Sequence, residues 1–273
     1  MRKLIITLSG ETDKQILKIS LSDFLVPERE VIIVMEQVSN SKSRKGCVDV
    51  WNAFMADGAK FSVNDIPLCP TTVTALPEDI VDWEEAKAIY KQNTSSGNTD
   101  FYCNAFVCFY LDDYKFDGVH GIWHDSKRAL EILRHFAGVI TPDFSTYQDF
   151  PEPLKIYATY RMRLIGYWLG KNGIGVINNI RWGTSETYRY CFDGIPTDSV
   201  VAIGTVGGSP RKLVDRKRFE DGFYVMVKKL KPHTIVVYGS ANFPCFEWAR
   251  SIGIKVISFE SRTCRAHKRG DAA

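Results

Sequence analysis

Gly173–Pro210 reads GIGVINNIRWGTSETYRYCFDGIPTDSVVAIGTVGGSP. It holds two apolar, β-branched runs, Ile174–Ile177 and Val200–Ile203, each bounded by glycine. Polar residues follow each run: Asn178, Asn179 and Arg181 after the first, and Thr205, Gly207, Gly208 and Ser209 after the second. Short, uninterrupted apolar runs of this kind are the signature of strands buried on both faces of a parallel sheet. Parallel α/β sheets bind their ligands at the carboxyl ends of the strands, so the polar residues behind each run are the first place to look for a site.

Working outward from this stretch, the same alternation continues. Strand-like runs at 119–123, 139–141, 235–238 and 255–259 join the two above, and helical patterns fall at 126–136, 153–171, 215–230 and 244–251. Ser126 is placed to cap the first helix, while Gly138, Gly173 and Pro232 stop the chain just after three of them. Strand, helix, strand at this spacing predicts parallel pairing with right-handed crossovers. The expected fold is therefore α/β, a TIM-like barrel or incomplete barrel, with a doubly wound open sheet as the alternative. In the helix at 153–171, Ile156, Tyr160, Leu164, Tyr167 and Trp168 form a stripe expected to face the sheet, with Lys155, Arg163 and Lys171 largely off it.

The N-terminal part has a different texture. Apolar segments at 3–8, 16–21 and 31–35, separated by Gly10, Thr12-Asp13 and Pro27, predict strands in a small meander. A polar, basic loop at 37–45, a short helix at 48–55, an acidic helix at 83–90, a linker or mobile loop at 93–99 and a strand at 101–111 follow. The expected division is a β-rich or irregular N-terminal extension over 1–115, an α/β core over 116–262 and a basic tail over 263–273.

Composition sets outer limits. The chain has 273 residues, 45% hydrophobic and 25% charged, which suffices for one large domain or a domain plus an extension. The net charge of +3 falls short of a nucleic-acid coat. Acids interleave with the cations of 211–231, so a solvated amphipathic helix explains them and nucleic acid is a disfavoured partner. No apolar run matches a bilayer span or a signal peptide, which leads to the expectation of a cytosolic protein with no membrane partner. Seven scattered cysteines without a CxxC pair give no zinc or thioredoxin motif.

Collecting the carboxyl ends of the expected strands puts His120, His124, Asp125, Asp143, Ser145, Asn178, Asn179, Arg181, Thr205, Ser240 and Asn242 on one rim. Asp143, Arg181 and His124 are the candidate catalytic groups. An acid beside an imidazole serves proton transfer, and an arginine clamps an acid or stacks on a base. Asn178, Asn179, Thr205, Gly207, Gly208, Ser209 and Ser240 are the candidate ligand-binding residues. Glycines let backbone N–H groups approach an anion, and Arg211 and Lys212 add charge ahead of a helix whose amino end favours phosphate. Neither a Walker spacing nor GxGxxG is present, no GxSxG elbow supports a serine hydrolase, and no HExxH or cluster of acids indicates a metal. The expected partner is a small phosphorylated ligand or nucleotide, and no cofactor is identified.

Four strings, GVITPDFS (138–145), RMRLIGYWLGKNGIGVINNIRWG (161–183), YCFDGIP (190–196) and VVAIGTVGG (200–208), resemble an uncharacterised family found in bacteriophages, plasmids and integrative elements of bacteria. The resemblance spans about residues 116–259. It implies a mobile-element origin and a shared α/β core, and it implies no activity. Such an origin adds a second functional class to the enzyme or nucleotide-binding reading, a protein that binds and inhibits or decoys a host defence protein through its N-terminal region.

Overall fold

A computed structural model describes residues 2–7, 18–22, 45–206 and 213–270. The chain divides into two units, Met1–Ile33 and Val34–Ala273. In the first, strands β1 (Arg2–Thr7) and β2 (Lys18–Ser22) pair antiparallel, as the opening apolar segments predict. The expected third strand at 31–35, most of the basic loop at 37–45, and Gly207, Gly208 and Ser209 lie outside the described residues.

The second unit is built on seven strands, all parallel and adjacent in chain order: β3 (Ile80–Asp82), β4 (Cys103–Cys108), β5 (Phe136–Ile140), β6 (Val176–Asn179), β7 (Val200–Gly204), β8 (Thr234–Tyr238) and β9 (Lys255–Phe259). Helices α1 (Trp83–Ser95), α2 (Ser126–Leu133), α3 (Glu152–Lys171), α4 (Leu213–Leu230) and α5 (Pro244–Ser251) carry five of the crossovers. The β6–β7 crossover has only a short 3₁₀ turn, Ser185–Arg189. The buried Tyr190, Cys191 and Phe192 pack there instead of a helix.

Unbroken sequential order keeps the chain winding one way, whereas a doubly wound sheet needs a point where the order reverses. The sheet accordingly curls into a half-barrel, and the open-sheet alternative is set aside. The rings of Tyr110, beyond β4, and Tyr238, on β8, stack with centroids 5.5 Å apart and planes 17° from parallel. Four strand spacings in a flat sheet would separate them by about 19 Å. The inward residues, among them Ile80, Phe106, Cys108, Ile140, Ile177, Ala202 and Val236, make one interior cluster. Their outward neighbours pack beneath the helices in two further clusters.

Side chains that follow β9 link the two sheet edges, β3 and β9. Helix α6 (Arg262–Gly270) follows β9, and Arg265 Nη1 donates to Ile80 O on β3 (3.0 Å) and to Glu260 O just past β9 (3.1 Å). Its Nη2 meets both carboxylate oxygens of Glu85 at 3.0 and 2.8 Å. Glu85 also closes the capping box of α1, where Asp82 accepts from the Glu85 amide and Glu85 accepts from the Asp82 amide.

Several expectations are corrected. The parallel sheet starts at Ile80, so β3, α1 and β4 belong to the sheet and not to an N-terminal extension ending at 115. Residues 93–95, expected to be part of a linker or mobile loop at 93–99, are the last residues of α1, and 96–99 lead from it to β4. Residues 119–123 make turns, with Val119 exposed and Ile122 and Trp123 buried, where a strand was expected. A Cβ on Gly121 would sit 2.2 Å from Phe116 O, and a chain folded back this tightly has no room for a ladder. Residues 262–270 of the basic tail are helical. In α3, Lys155 and Arg163 are buried, contrary to the expected stripe. Tyr160 and Tyr167 are only half-buried, and their hydroxyls donate to Trp51 O (3.1 Å) and Asp57 O (2.9 Å). The helix lies between the sheet and residues 50–57, so no single face defines its burial.

No described helix is long and apolar enough to cross a membrane.

Candidate functional site

Side chains alternate along a strand, and β6 shows what this does to adjacent asparagines. Ile177 and Asn179 face the barrel interior, while Val176 and Asn178 face the helices. Asn178 donates to Cys69 O (2.8 Å) beneath the helical layer, so it stands off the site where it was expected. Asn179 enters the rim at its centre.

A continuous hydrogen-bond chain crosses the rim. The Tyr110 hydroxyl donates to Asn179 Oδ1 (3.0 Å), Asn179 Nδ2 donates to Asp143 Oδ1 (2.8 Å), and Arg181 Nη1 donates to Asp143 Oδ2 (3.0 Å). With a hydroxyl on one side and a carboxylate on the other, the orientation of the Asn179 amide is fixed. The backbone around it is held equally firmly. Asn179 N donates to Thr141 Oγ1 (2.8 Å), and Asn179 O accepts from Arg163 Nη1 (2.9 Å).

Burial raises the Asp143 carboxyl above its ordinary value, and the Arg181 charge and the Asn179 amide only partly oppose it. Burial, reinforced by the Asp143 charge, likewise pushes the Tyr110 phenol well up, which keeps it a donor. Arg163 reaches three carbonyls from within the core: Asp193 O (3.0 Å), Asn179 O (2.9 Å) and Cys191 O (3.1 Å). Desolvation lowers its pKa to about 10, so it remains charged at neutral pH.

Arg181 also lines a cleft of about 190 Å³ between the ends of β6 and β7 and the first turns of α4. Ile180, Ile203 and Gly204 contribute apolar surface and backbone, Trp182 and Phe219 supply aromatic rings 5.2 Å apart, and Arg218 adds a second cation. Arg218 is only loosely engaged, 3.8 Å from Asp215. Thr146 lines the same cleft and is 6% exposed, yet its hydroxyl has no hydrogen-bond partner among the described residues. Buried hydroxyls are rarely left this way, and a bound ligand or water normally completes them.

The remaining candidates divide. Thr205 lines the cleft, but its hydroxyl is already donated to Ser240 O (2.9 Å). Ser240 itself is exposed outside the cleft, and its Oγ accepts from Asn242 N. His124 occupies an exposed turn of the β4–α2 connection, with no hydrogen bond to Asp143 or Arg181 among the described residues. It does not join the acid as a catalytic pair, because the strand expected to aim it is a turn. Among the described residues no three His, Cys, Asp or Glu side chains converge as a metal would require. Burial raises the Cys69, Cys191 and Cys245 thiols to about 12, which makes them unreactive packing groups. Tyr110, Thr146 and Arg218 were not among the residues expected at the site. A tyrosine ending an apolar strand reads as core, and a threonine six residues past β5 carries no motif.

Comparison with known proteins places this geometry in a lineage. No solved structure matches the chain. The Gene 1 protein of Mycobacterium phage L5 is 34% identical over 131 residues, 48% of this chain and 56% of the relative's own length. The Gene 1 protein of Mycobacterium phage D29 is 30% identical over 202 residues, 74% of this chain and 69% of that protein. The family defined as a domain of unknown function, DUF4417, matches residues 59–260, a span that takes in all seven strands of the curled sheet and all the described rim residues. The chain therefore belongs to the DUF4417 family, an uncharacterised family with phage members, and its residues 59–260 are that domain.

Proposed function

We propose that the protein binds a small phosphorylated ligand or nucleotide in the cleft at the carboxyl ends of β6 and β7. The observation that carries this reading is the placement of Arg181. One of its nitrogens is anchored by Asp143, while the side chain, 26% exposed, lines the cleft. Its neighbours there are a second arginine, an indole and a buried hydroxyl with no partner among the described residues. A cation pre-set by a buried acid meets an anion without first losing side-chain freedom, and Arg presents a planar fork suited to phosphate oxygens. Catalysis at the same site would use Asp143 as the proton-transferring group beside the bound anion.

Isothermal titration with inorganic phosphate, pyrophosphate and ATP provides the test. Wild-type protein is expected to bind at least one of these probes. Arg181→Ala and Arg218→Ala are each expected to weaken that binding by about tenfold or more, about 1.4 kcal/mol, Arg218→Ala with little change in melting temperature and Arg181→Ala with a lower one, because it leaves the buried Asp143 without its cation. Wild-type affinity in both variants, or no binding of any probe, would overturn the reading.

A further inference from the structure

The segment that leads from β5 toward α3 is irregular, yet it is pinned at two points. Ser145 donates to Asp113 through both its amide (3.1 Å) and its hydroxyl (2.8 Å). Further along, Gln148 O accepts from Lys155 Nζ (2.8 Å), and that lysine is itself buried. A buried ammonium is costly unless it is hydrogen-bonded, so this contact holds the backbone in place. Between the two pins lie Thr146 and Tyr147, and both line the cleft at the ends of β6 and β7.

These two residues present different chemistry to the cleft. Thr146 offers the buried hydroxyl that has no partner among the described residues, whereas Tyr147 is 56% exposed. Phe150 meets the Tyr147 ring edge to face, with centroids 5.2 Å apart and planes at 79°, which steadies the ring without covering both its faces. Trp182, by contrast, is committed to packing. Its indole lies 5.2 Å from the Phe219 ring and against Gly222, where a Cβ would fall 2.2 Å from Nε1. The aromatic face left open beside Arg181 and Arg218 is therefore that of Tyr147.

At about 190 Å³ the cleft is smaller than the roughly 300 Å³ and more of sites that enclose a whole drug-sized ligand. It has room for a phosphate and the group attached to it, with the rest of the ligand lying over its mouth. An exposed ring held beside cations is the arrangement on which nucleobases stack while their phosphates are neutralised. Given the anion-binding reading of this cleft, on which the inference rests, we propose that its ligand is a nucleotide. The phosphate lies at Arg181, Arg218 and the Thr146 hydroxyl, and the base stacks on Tyr147.

Isothermal titration of the full chain with AMP, GMP, CMP and UMP, set against ribose 5-phosphate, tests this. At least one nucleotide is expected to bind about tenfold or more tighter than ribose 5-phosphate, the gain that stacking one base on an aromatic ring supplies. Tyr147→Ala should erase that gain and leave the affinity for ribose 5-phosphate as it was, while Tyr147→Trp should keep it. The ring is exposed, so both variants are expected to keep the wild-type melting curve. Ribose 5-phosphate binding as tightly as every nucleotide, or a base-dependent gain that survives Tyr147→Ala, would overturn the proposal and leave the anion site standing. Binding of none of the phosphate compounds would overturn both.

Discussion

Arg163 occupies a place where a charge is costly, and the structure shows why it is kept. Its guanidinium satisfies three carbonyls that converge from β6 and the Cys191–Asp193 turn. One of them belongs to Asn179, the centre of the rim network, so an arginine on α3 sets the height of the site floor. Arg163→Met leaves those carbonyls without donors and is expected to cost about 3 kcal/mol. Arg163→Lys should rescue little, because one ammonium cannot span three directions. Urea denaturation of both variants checks this, and a loss below about 1 kcal/mol in the Met variant would contradict it. At this scale the sequence was legible where polarity follows an apolar run, as at Asp143, Asn179 and Arg181. It was not legible where one residue of register decides the side. Asn178 and Asn179 are chemically identical, and only the pleat separates them. Arg163 was hidden for the opposite reason, since an arginine in an amphipathic helix ordinarily points to water.

Strand β7 ends at Gly204, and the barrel depends on what that position lacks. A Cβ there would lie 2.3 Å from the Tyr110 ring, inside the space the stacked tyrosines fill. Gly204→Ala is therefore expected to push Tyr110 aside and break its bond to Asn179. The predicted outcome is overpacking of about 1–3 kcal/mol with weakened binding of any anion that binds the wild type. Thermal denaturation and titration in parallel measure the two effects, and an unperturbed variant would show that the ring has another position to occupy. Six strands of the sheet and α2 to α5 followed apolar periodicity and were readable to within a few residues. The exceptions have physical causes. Strand β3 is only three residues long, and Asp82, its last residue, is also the helix cap of α1. Residues 119–123 carry a strand-like apolar pattern, but Gly118 and Gly121 fold them into turns that bury Ile122 and Trp123 without any ladder.

The curled sheet ends in two edge strands, β3 and β9, which share no backbone ladder among the described residues. Arg265 links the two, touching a carbonyl on each edge and the carboxylate that caps α1. Arg262 lies nearby, 3.4 Å from Glu84 and 3.6 Å from Asp82. The Arg265 and Glu85 side chains are each 26% exposed, so their attraction is partly screened. Arg265→Ala is expected to lower the melting temperature by about 2–6 °C, for a loss of about 1–2 kcal/mol in a domain of this size. Differential scanning calorimetry decides it, and an unchanged transition would mean that the edge strands are held elsewhere. Nothing in the basic run RTCRAHKR announced this role, because its partners lie about 180 residues earlier in the chain. That separation has a consequence for biosynthesis. A ribosome making this chain delivers every strand of the sheet, and every crossover, before the residue that joins first strand to last. Until then the nascent barrel has two open edges available to neighbouring chains, and a pause in translation before codon 265 would prolong that exposure.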